Sequence, residues 1–310
     1  MSRPAHRPQP GVRPPIPPTS SRLRSLIWVV LLAAGLPIAQ PAAALEGFAL
    51  EGDLLVHLDL GSGASAEIGS HGLFAFALAY SPDGVLYAAG KRQGIPENPQ
   101  ELWILDQATG QRTLVGQLSP SGVALVGDLT FDDSGALWVV LDGQLHSVDL
   151  GSGVATRIGD EEGWLQGLAE FGGTFYGIES DDPFGGGPPW RLVTVDEATG
   201  VTAPILDLPA LSTQDILAMD FDTFGRLWVL GLQFFPTPGV SRLLRLDDPF
   251  SGEVELIHEL DSDFGVEGLA LVPSLSSVEV PALGGAGAAA LATLLVAVAC
   301  RTMRRRQRAG

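Results

Sequence analysis

The chain has 310 residues, and its 36 Asp plus Glu outnumber its 18 Lys plus Arg, which gives a net charge of −18. Such a surface repels nucleic acid and anionic lipid headgroups. A single cysteine excludes an internal disulfide and a zinc site built on several thiolates. No acidic residue precedes Glu46 or follows Glu279, and the region between has 8 basic against 36 acidic residues, a net charge of −28. This region suits cations or basic partners, and an ordinary soluble exported surface is the alternative.

The N-terminal segment has the three parts of a secretory signal peptide. An Arg-bearing, Pro-rich lead is followed by the apolar run SLIWVVLLAAGLPIA and by small residues at Ala42 and Ala44. This order predicts a signal peptide over residues 1–44 with cleavage after Ala44. Because no twin Arg precedes the run, the Sec route is favoured over Tat. An uncleaved anchor is the alternative.

A short phrase of the form Asp-x-x-[Ser/Thr]-Gly recurs about every 45 residues after the signal. Its copies are LDLGSG, LDQATG, VDLGSG, VDEATG and the looser DDPFSG. One full unit, GDLTFDDSGALWVVLDGQLHSVDLGSGVATRIG, reads as four short strands separated by turns. The phrase is therefore predicted to be the hairpin between strands three and four. An aromatic residue marks strand two of each complete unit and is expected to pack between sheets: Tyr87, Trp138, Tyr176 and Trp228.

The two ends of the repeat region complement each other. VEGLALVP, from Val266, is a first strand with nothing after it, while the segment from Glu46 supplies strands two to four with nothing before them. We therefore predict an all-β fold, a five-bladed β-propeller over residues 45–275 in which both termini close the last blade. A parallel β-solenoid is the alternative. From Leu45 to Pro273 the chain resembles repeat-rich secreted bacterial propellers, a resemblance that implies a fold and not a substrate.

Three units have longer loops between strands two and three. The strand-two aromatic precedes the phrase Asp by 11 residues in two units, but by 19 or 20 residues in the other three. Because these loops leave the same face of a propeller, that face is predicted to bind a ligand. Loop aromatics predicted to contact a sugar ring or a protein partner are Trp164, Trp190, Phe234 and Phe235. Packing of these rings against the blades is the alternative.

The same face is predicted to be acidic. Clustered carboxylates separated by flexible Gly can supply the oxygens that Ca²⁺ requires. The candidate calcium ligands are Asp160, Glu161, Asp181, Asp182, Asp261, Asp263 and Glu267. A solvated acidic face without a metal is the alternative.

Three carboxylates are candidates for catalysis in the central channel. Asp128 and Asp220 occupy first strands where the equivalent residues are mostly Ala or Gly, and Glu267 lies at the start of the last first strand. Some five-bladed propellers are glycoside hydrolases that use a carboxylic acid and a carboxylate base, and by that resemblance Glu267 would be the acid. The signature segments of those enzymes are not recognisable here. The alternative is that Asp128 or Asp220 accepts hydrogen bonds from neighbouring backbone amides.

The C-terminal region has a linker and short motif over residues 276–281, an apolar run predicted as a transmembrane helix over 282–300, and a basic cytoplasmic tail over 301–310. This arrangement resembles bacterial sorting signals of the PEP-CTERM and IPTL-CTERM type. The matching residues are Val280, Pro281, Ala282, Leu283, Arg304, Arg305 and Arg306. The resemblance implies processing by a sorting protease in a Gram-negative envelope. No Pro-Glu-Pro is present, and an ordinary single-span anchor is the alternative.

These patterns predict an exported, envelope-tethered propeller that serves as a binding module for a glycan or protein ligand. Its other expected contact is with the membrane, through the C-terminal helix, and nucleic acid is excluded as a partner by charge. An extracellular glycoside hydrolase and a purely structural surface or matrix protein are the alternatives.

Overall fold

The computed structural model describes residues 45–94, 99–119, 124–159, 163–180, 189–233, 239–260 and 265–272. Within them the regular structure is β, apart from one 3-10 turn at Pro209–Leu211. The strands are β1 (Glu46–Glu51), β2 (Leu54–Asp59), β3 (Ser65–Ser70), β4 (Leu73–Tyr80), β5 (Leu86–Arg92), β6 (Glu101–Leu105), β7 (Arg112–Gln117), β8 (Val126–Phe131), β9 (Leu137–Leu141), β10 (Gln144–Val148), β11 (Ala155–Arg157), β12 (Trp164–Phe171), β13 (Thr174–Ser180), β14 (Trp190–Val195), β15 (Thr202–Asp207), β16 (Gln214–Phe221), β17 (Leu227–Gln233), β18 (Val240–Leu246), β19 (Glu255–Leu260) and β20 (Val266–Leu271).

The strands form five antiparallel four-stranded sheets, which are the blades of a propeller. Blade 1 has the order β20-β1-β2-β3, and blades 2 to 5 are β4–β7, β8–β11, β12–β15 and β16–β19. The first strand of each order is the innermost, and each innermost strand contacts those of the two neighbouring blades. The prediction of a five-bladed propeller is confirmed.

Blade 1 closes the ring by pairing the two ends of the repeat region. β20 pairs with β1 in a register that runs from Gly47 opposite Leu271 to Glu51 opposite Val266. One further bond joins the N–H of Val272 to the carbonyl of Glu46, at 2.9 Å. The predicted split blade is therefore confirmed, and residues 45–272 contain every strand of the five blades. This closure removes the open sheet edge that another chain would otherwise pair with.

The predicted signal peptide, linker, C-terminal helix and basic tail, with the sorting residues Val280, Pro281, Ala282, Leu283, Arg304, Arg305 and Arg306, lie outside the described residues. In the ranges that are described, no helix is long and apolar enough to cross a membrane.

The recurring Asp-x-x-[Ser/Thr]-Gly phrase forms the hairpin between the third and fourth strands of each blade. In blade 1 the Asp59 carboxylate accepts hydrogen bonds from the backbone N–H groups of Gly61 and Ser62, at 2.8 and 3.1 Å. The final glycine, Gly63, has a φ of 70°, in the left-handed region that favours glycine. The predicted turn chemistry is confirmed.

The same hairpins also hold neighbouring blades together. The end of the hairpin in blade 3 packs so closely on the outer strand of blade 2 that a Cβ at Gly116 would overlap the carbonyl oxygen of Ser152. Gly69 and Gly159 have the same relation to Thr109 and Thr199 in the blades that follow them. At the closing interface the ring of His258 lies against Gly63 instead. The phrase therefore recurs because it makes both a turn and a contact between blades.

The aromatic residues of the second strands pack against the following blade, as predicted. The ring pairs are Tyr87 with Phe131, Trp138 with Phe175 and Tyr176 with Phe221, at centroid distances of 5.2, 5.3 and 5.2 Å. Trp228 is buried in a cluster that includes Leu58 and Leu271 of blade 1. These contacts place the four rings between neighbouring blades, where they stabilise the ring of blades.

Candidate functional site

The two faces of the propeller differ in the length of their loops. The connections between second and third strands span residues 93–100, 181–189 and 234–239 in blades 2, 4 and 5, but only 52–53 and 142–143 in blades 1 and 3. We call the end of the propeller with these connections the long-loop face. The opposite end, with the tight hairpins, is the hairpin face. The predicted asymmetry of loop length is confirmed.

The innermost strands begin at the long-loop face, around the entrance to the central channel. Four residues occupy equivalent positions there in blades 2 to 5. Each directly precedes the last paired residue before a β-bulge, and the four are Phe74, Leu125, Trp164 and Asp215. We call this set the mouth. Phe74 is 56% exposed and Leu125 is 63% exposed. Large apolar side chains held in water by rigid strands are typical of a binding surface.

Asp215 supplies the polar group of the mouth. Burial raises the pKa of Asp215 to about 6. Its Oδ1 atom is buried and has no hydrogen-bond partner in the described structure. Such an oxygen can accept a hydrogen bond from the hydroxyl or ammonium group of a ligand. The sequence analysis missed Phe74, Leu125 and Asp215, although each lies at or next to the start of a predicted first strand.

Deeper in the channel, each bulged strand presents a half-buried residue; four of these have buried neighbours on both sides, and Gly127 follows the half-buried Val126. These residues are Phe76, Gly127, Gln166, Leu217 and Glu267. Because neighbouring blades cover both surfaces of each sheet, a residue in the middle of an innermost strand that still contacts solvent must face the channel. Glu267 is the only charged member of this set, and burial raises its pKa.

Asp128 links three blades through backbone hydrogen bonds. Its Oδ1 accepts from the N–H of Leu129 at 2.9 Å, and its Oδ2 accepts from the N–H groups of Leu168 and Met219 at 3.1 and 2.9 Å. The side chain is completely buried. Burial raises the pKa of Asp128, while the three amide bonds oppose that shift. A carboxylate engaged in this way is poorly placed to transfer a proton to a substrate.

Asp220 has the same kind of role between blades 5 and 1. Its Oδ1 accepts from the N–H of Phe221 and its Oδ2 from the N–H of Leu271, both at 2.8 Å. Burial, followed by the charges of Asp222 and Glu170, raises the pKa of Asp220 to about 7. For both Asp128 and Asp220 the geometry is that of the alternative stated above, in which they hold backbone amides.

The predicted loop aromatics are placed differently from one another. Trp190 is not a loop residue: it begins β14, is 1% exposed, and donates its indole N–H to the carbonyl of Gln214 at 3.0 Å. Its predicted position in a loop is wrong, because the ring fills the core between blades 4 and 5. Trp164 begins β12 with its half-buried ring against Gly143. Phe234 and Phe235 lie outside the described residues.

Of the predicted calcium ligands, only Glu267 lies within the described residues. Asp160, Glu161, Asp181, Asp182, Asp261 and Asp263 lie outside them. No group of three or more metal-ligating side chains occurs among the residues that the structure does describe. The calcium site therefore stays a prediction.

Comparison with known proteins shows the fold and no family. No family model matches the chain, and no curated protein matches it. A chain of the nidogen/laminin complex is similar, with a TM-score of 0.52 and 11% identity over 74% of this chain and 98% of that one. A protein of Thermus thermophilus described as a candidate oxidoreductase (glucose dehydrogenase) has a TM-score of 0.43 and 16% identity, over 72% and 83% of the two chains. At such identities the likeness concerns the fold alone.

Proposed function

We propose that the protein is an exported, envelope-tethered binding module whose ligand occupies the mouth on the long-loop face. The observation that carries this proposal is the pair of exposed side chains Phe74, in β4, and Leu125, directly before β8. Both residues lie at the starts of innermost strands that contact those of neighbouring blades. A ligand that covers them is met by a preformed surface, which limits the entropy lost on binding.

The chemistry of the mouth favours a ligand with an apolar surface and a hydrogen-bond donor. Burying a side chain such as Phe74 or Leu125 contributes about 1.5–3 kcal/mol. Asp215, in β16 of blade 5, adds a carboxylate whose buried, unpaired oxygen can make a directional contact once the side chain turns towards a ligand. The apolar face of a sugar ring with its hydroxyl groups meets these requirements, and so does a protein segment with an apolar and a cationic side chain.

Export and tethering rest on the sequence. The signal-like N-terminal segment, the apolar run over 282–300 and the Arg-rich end support an envelope location with membrane contact through the C-terminal helix. Processing of that end by a sorting protease is part of the same proposal.

The hydrolase alternative is weakened by the channel geometry. Asp128 and Asp220 direct their oxygens to backbone amides of innermost strands. Of the three candidates, Glu267 alone keeps a carboxylate without such bonds among the described residues. A glycoside hydrolase needs two carboxylates that act on the same bond.

The proposal is tested by screening residues 45–275, which contain all five blades, against an oligosaccharide array and a displayed peptide library. Retained ligands are then measured with the double variant Phe74→Ser/Leu125→Ser and with Asp215→Asn. We expect at least a tenfold loss of affinity for the double variant. Val201→Ser, which changes a similarly exposed apolar side chain on the hairpin face (58%, against 56% for Phe74), is the matched control and is expected to change nothing. Failure to find any retained ligand that the mouth variants weaken, or equal loss of that ligand with Val201→Ser, would contradict the proposal.

A further inference from the structure

A group of aromatic residues crosses blades 4 and 5 on the hairpin face. Phe171 stacks on Phe221 at 5.2 Å, and Tyr176 contacts both Phe221, at 5.2 Å, and Phe250, at 6.3 Å. Phe224 lies beside these rings: the ring of Phe171 lies 2.9 Å from where a Cβ of Gly225, the residue after Phe224, would stand. We call these five residues, Phe171, Tyr176, Phe221, Phe224 and Phe250, the aromatic row.

The tips of the row project into solvent. Phe224 is 75% exposed and Phe250 is 59% exposed. Phe224 lies in a turn between first and second strands, where other blades have SPDG and DDSG. Phe250 lies in a turn between third and fourth strands, where other blades have LGSG and QATG. Neither turn therefore requires an aromatic residue. Burial in the core does not explain these side chains either. Exposed aromatic side chains grouped on one face, over a base of packed aromatic rings, are typical of a site that contacts another molecule.

The surroundings of the row are acidic. Glu170 directly precedes Phe171, and its pKa is raised by burial and then by the charges of Asp133 and Asp132. Glu170 in turn helps to raise the pKa of Asp220. These carboxylates repel one another, and a cation placed among them would relieve that repulsion.

The basic side chains beside the row are already paired. Arg226 contacts Asp222 at 2.6 Å, and Arg245 contacts Asp247 and Glu255 at 2.7 and 2.8 Å. Arg226 also lies over the ring of Phe224, with its guanidinium carbon 5.1 Å from the ring centroid. The exposed Phe224 is therefore already stacked with one guanidinium within the chain, which shows the kind of contact that this surface makes.

The charge of this surface excludes several occupants. Nucleic acid and anionic lipid are repelled, and so is the same acidic face of a second copy of the chain. We propose that the aromatic row binds a polypeptide segment in which Arg or Lys side chains alternate with apolar ones. The cations would lie among Glu170, Asp132 and Asp133, and the apolar side chains on Phe171, Phe224 and Phe250. This surface is on the opposite face from the mouth, so the inference stands independently of the proposed function.

The test uses residues 45–275 and a fluorescein-labelled eight-residue peptide of alternating Arg and Leu, with binding followed by anisotropy. We expect saturable binding that weakens as salt is raised. The Phe224→Ser/Phe250→Ser variant is expected to lose at least tenfold in affinity, and Glu170→Gln/Asp133→Asn to lose affinity and part of the salt dependence. Leu114→Ser, which changes an exposed apolar side chain on the outer strand of blade 2, is the control and should bind normally, while Phe74→Ser reports whether the peptide occupies the mouth.

Two control peptides separate the contributions of charge and apolar contact. A peptide of alternating Glu and Leu is expected not to bind, and one of alternating Arg and Ser is expected to bind at least tenfold more weakly. Absence of saturable binding up to millimolar peptide, or equal binding by the Phe224→Ser/Phe250→Ser variant, would overturn the inference. Loss of binding with Phe74→Ser would assign the peptide to the mouth instead.

Discussion

Replacing Asp128 with Ala tests whether one carboxylate holds three blades together. The change removes the acceptor for the backbone N–H groups of Leu129, Leu168 and Met219. Each belongs to a different innermost strand, and no side chain at position 128 of the variant can replace the acceptor. The small size of Ala is not itself a problem, because Ala77 occupies the equivalent position of blade 2 without exposure to solvent.

The expected loss of stability follows from the three orphaned donors. A buried amide left without an acceptor costs about 1–3 kcal/mol. For three such amides the low end of this range gives about 3 kcal/mol of lost stability. We use the low end because removing the buried carboxylate offsets part of the cost of the unpaired amides. For a domain of this size, 1 kcal/mol corresponds to about 2–4 °C in Tm. We therefore expect Asp128→Ala to lower the Tm by about 6–12 °C.

The assay is thermal unfolding of residues 45–275 followed by far-ultraviolet circular dichroism, with urea unfolding as a second measure. Asp128→Asn keeps one acceptor oxygen and is expected to lose about a third as much. Asp149→Ala, which changes an exposed hairpin Asp, is the comparison for loss of a purely local turn contact. An Asp128→Ala variant as stable as the wild type, or no less stable than Asp149→Ala, would refute the reasoning.

Three further outcomes follow. Gly116→Ala should destabilise the fold by about 1–3 kcal/mol or more in urea unfolding, because the added methyl group overlaps Ser152 of blade 3. Gly151→Ala, in the hairpin that contains Ser152, should stay within about 0.5 kcal/mol. Equal losses would show that the hairpin contact does not hold the blades together. Burial raises the pKa of Asp220 in the folded protein to about 7, above its ordinary value of 3.8. The stability that this carboxyl group contributes is therefore complete below pH 3.8 and is lost as pH rises towards 7. The loss of stability has an upper limit of about 4 kcal/mol. Asp220→Asn should therefore lose less stability than the wild type between pH 5 and pH 8, and an identical pH profile would contradict this. Burial lowers the pKa of His71 to about 4. The stability that the neutral ring contributes is therefore complete above pH 6.5 and is lost as pH falls through 4. In NMR the ring protons of His71 should titrate near pH 4, and a midpoint near 6.5 would show that the ring is not buried.

The architecture could be predicted from the sequence because its determinants are local. The Asp-x-x-[Ser/Thr]-Gly phrase specifies a turn through contacts within five residues, and its spacing gives the number of blades. The split blade followed from the same counting, since strand one at Val266 lacks its partners until Glu46 is considered. That the phrase also holds neighbouring blades together is a packing property, which no single copy of it reveals.

The site was less predictable because its geometry depends on contacts between blades. Trp190 follows a loop-like GGGPP segment, and only its hydrogen bond to Gln214 of the next blade explains its burial. The partners of Asp128 lie 40 and 91 residues away. The aromatic row was missed although a signal was present, since Phe224 and Phe250 occupy turn positions where the other units have small or polar residues.

The most direct test of the proposed mouth is amide hydrogen exchange on residues 45–275, with and without the ligand most strongly retained in the oligosaccharide and peptide screen. The account predicts slower exchange in the segments around Phe74, Leu125 and Asp215, at the starts of β4, β8 and β16, and no change in the hairpin around Phe224. Protection confined to the hairpin face, or an unchanged mouth at saturating ligand, would contradict the claim that the long-loop face is the binding surface.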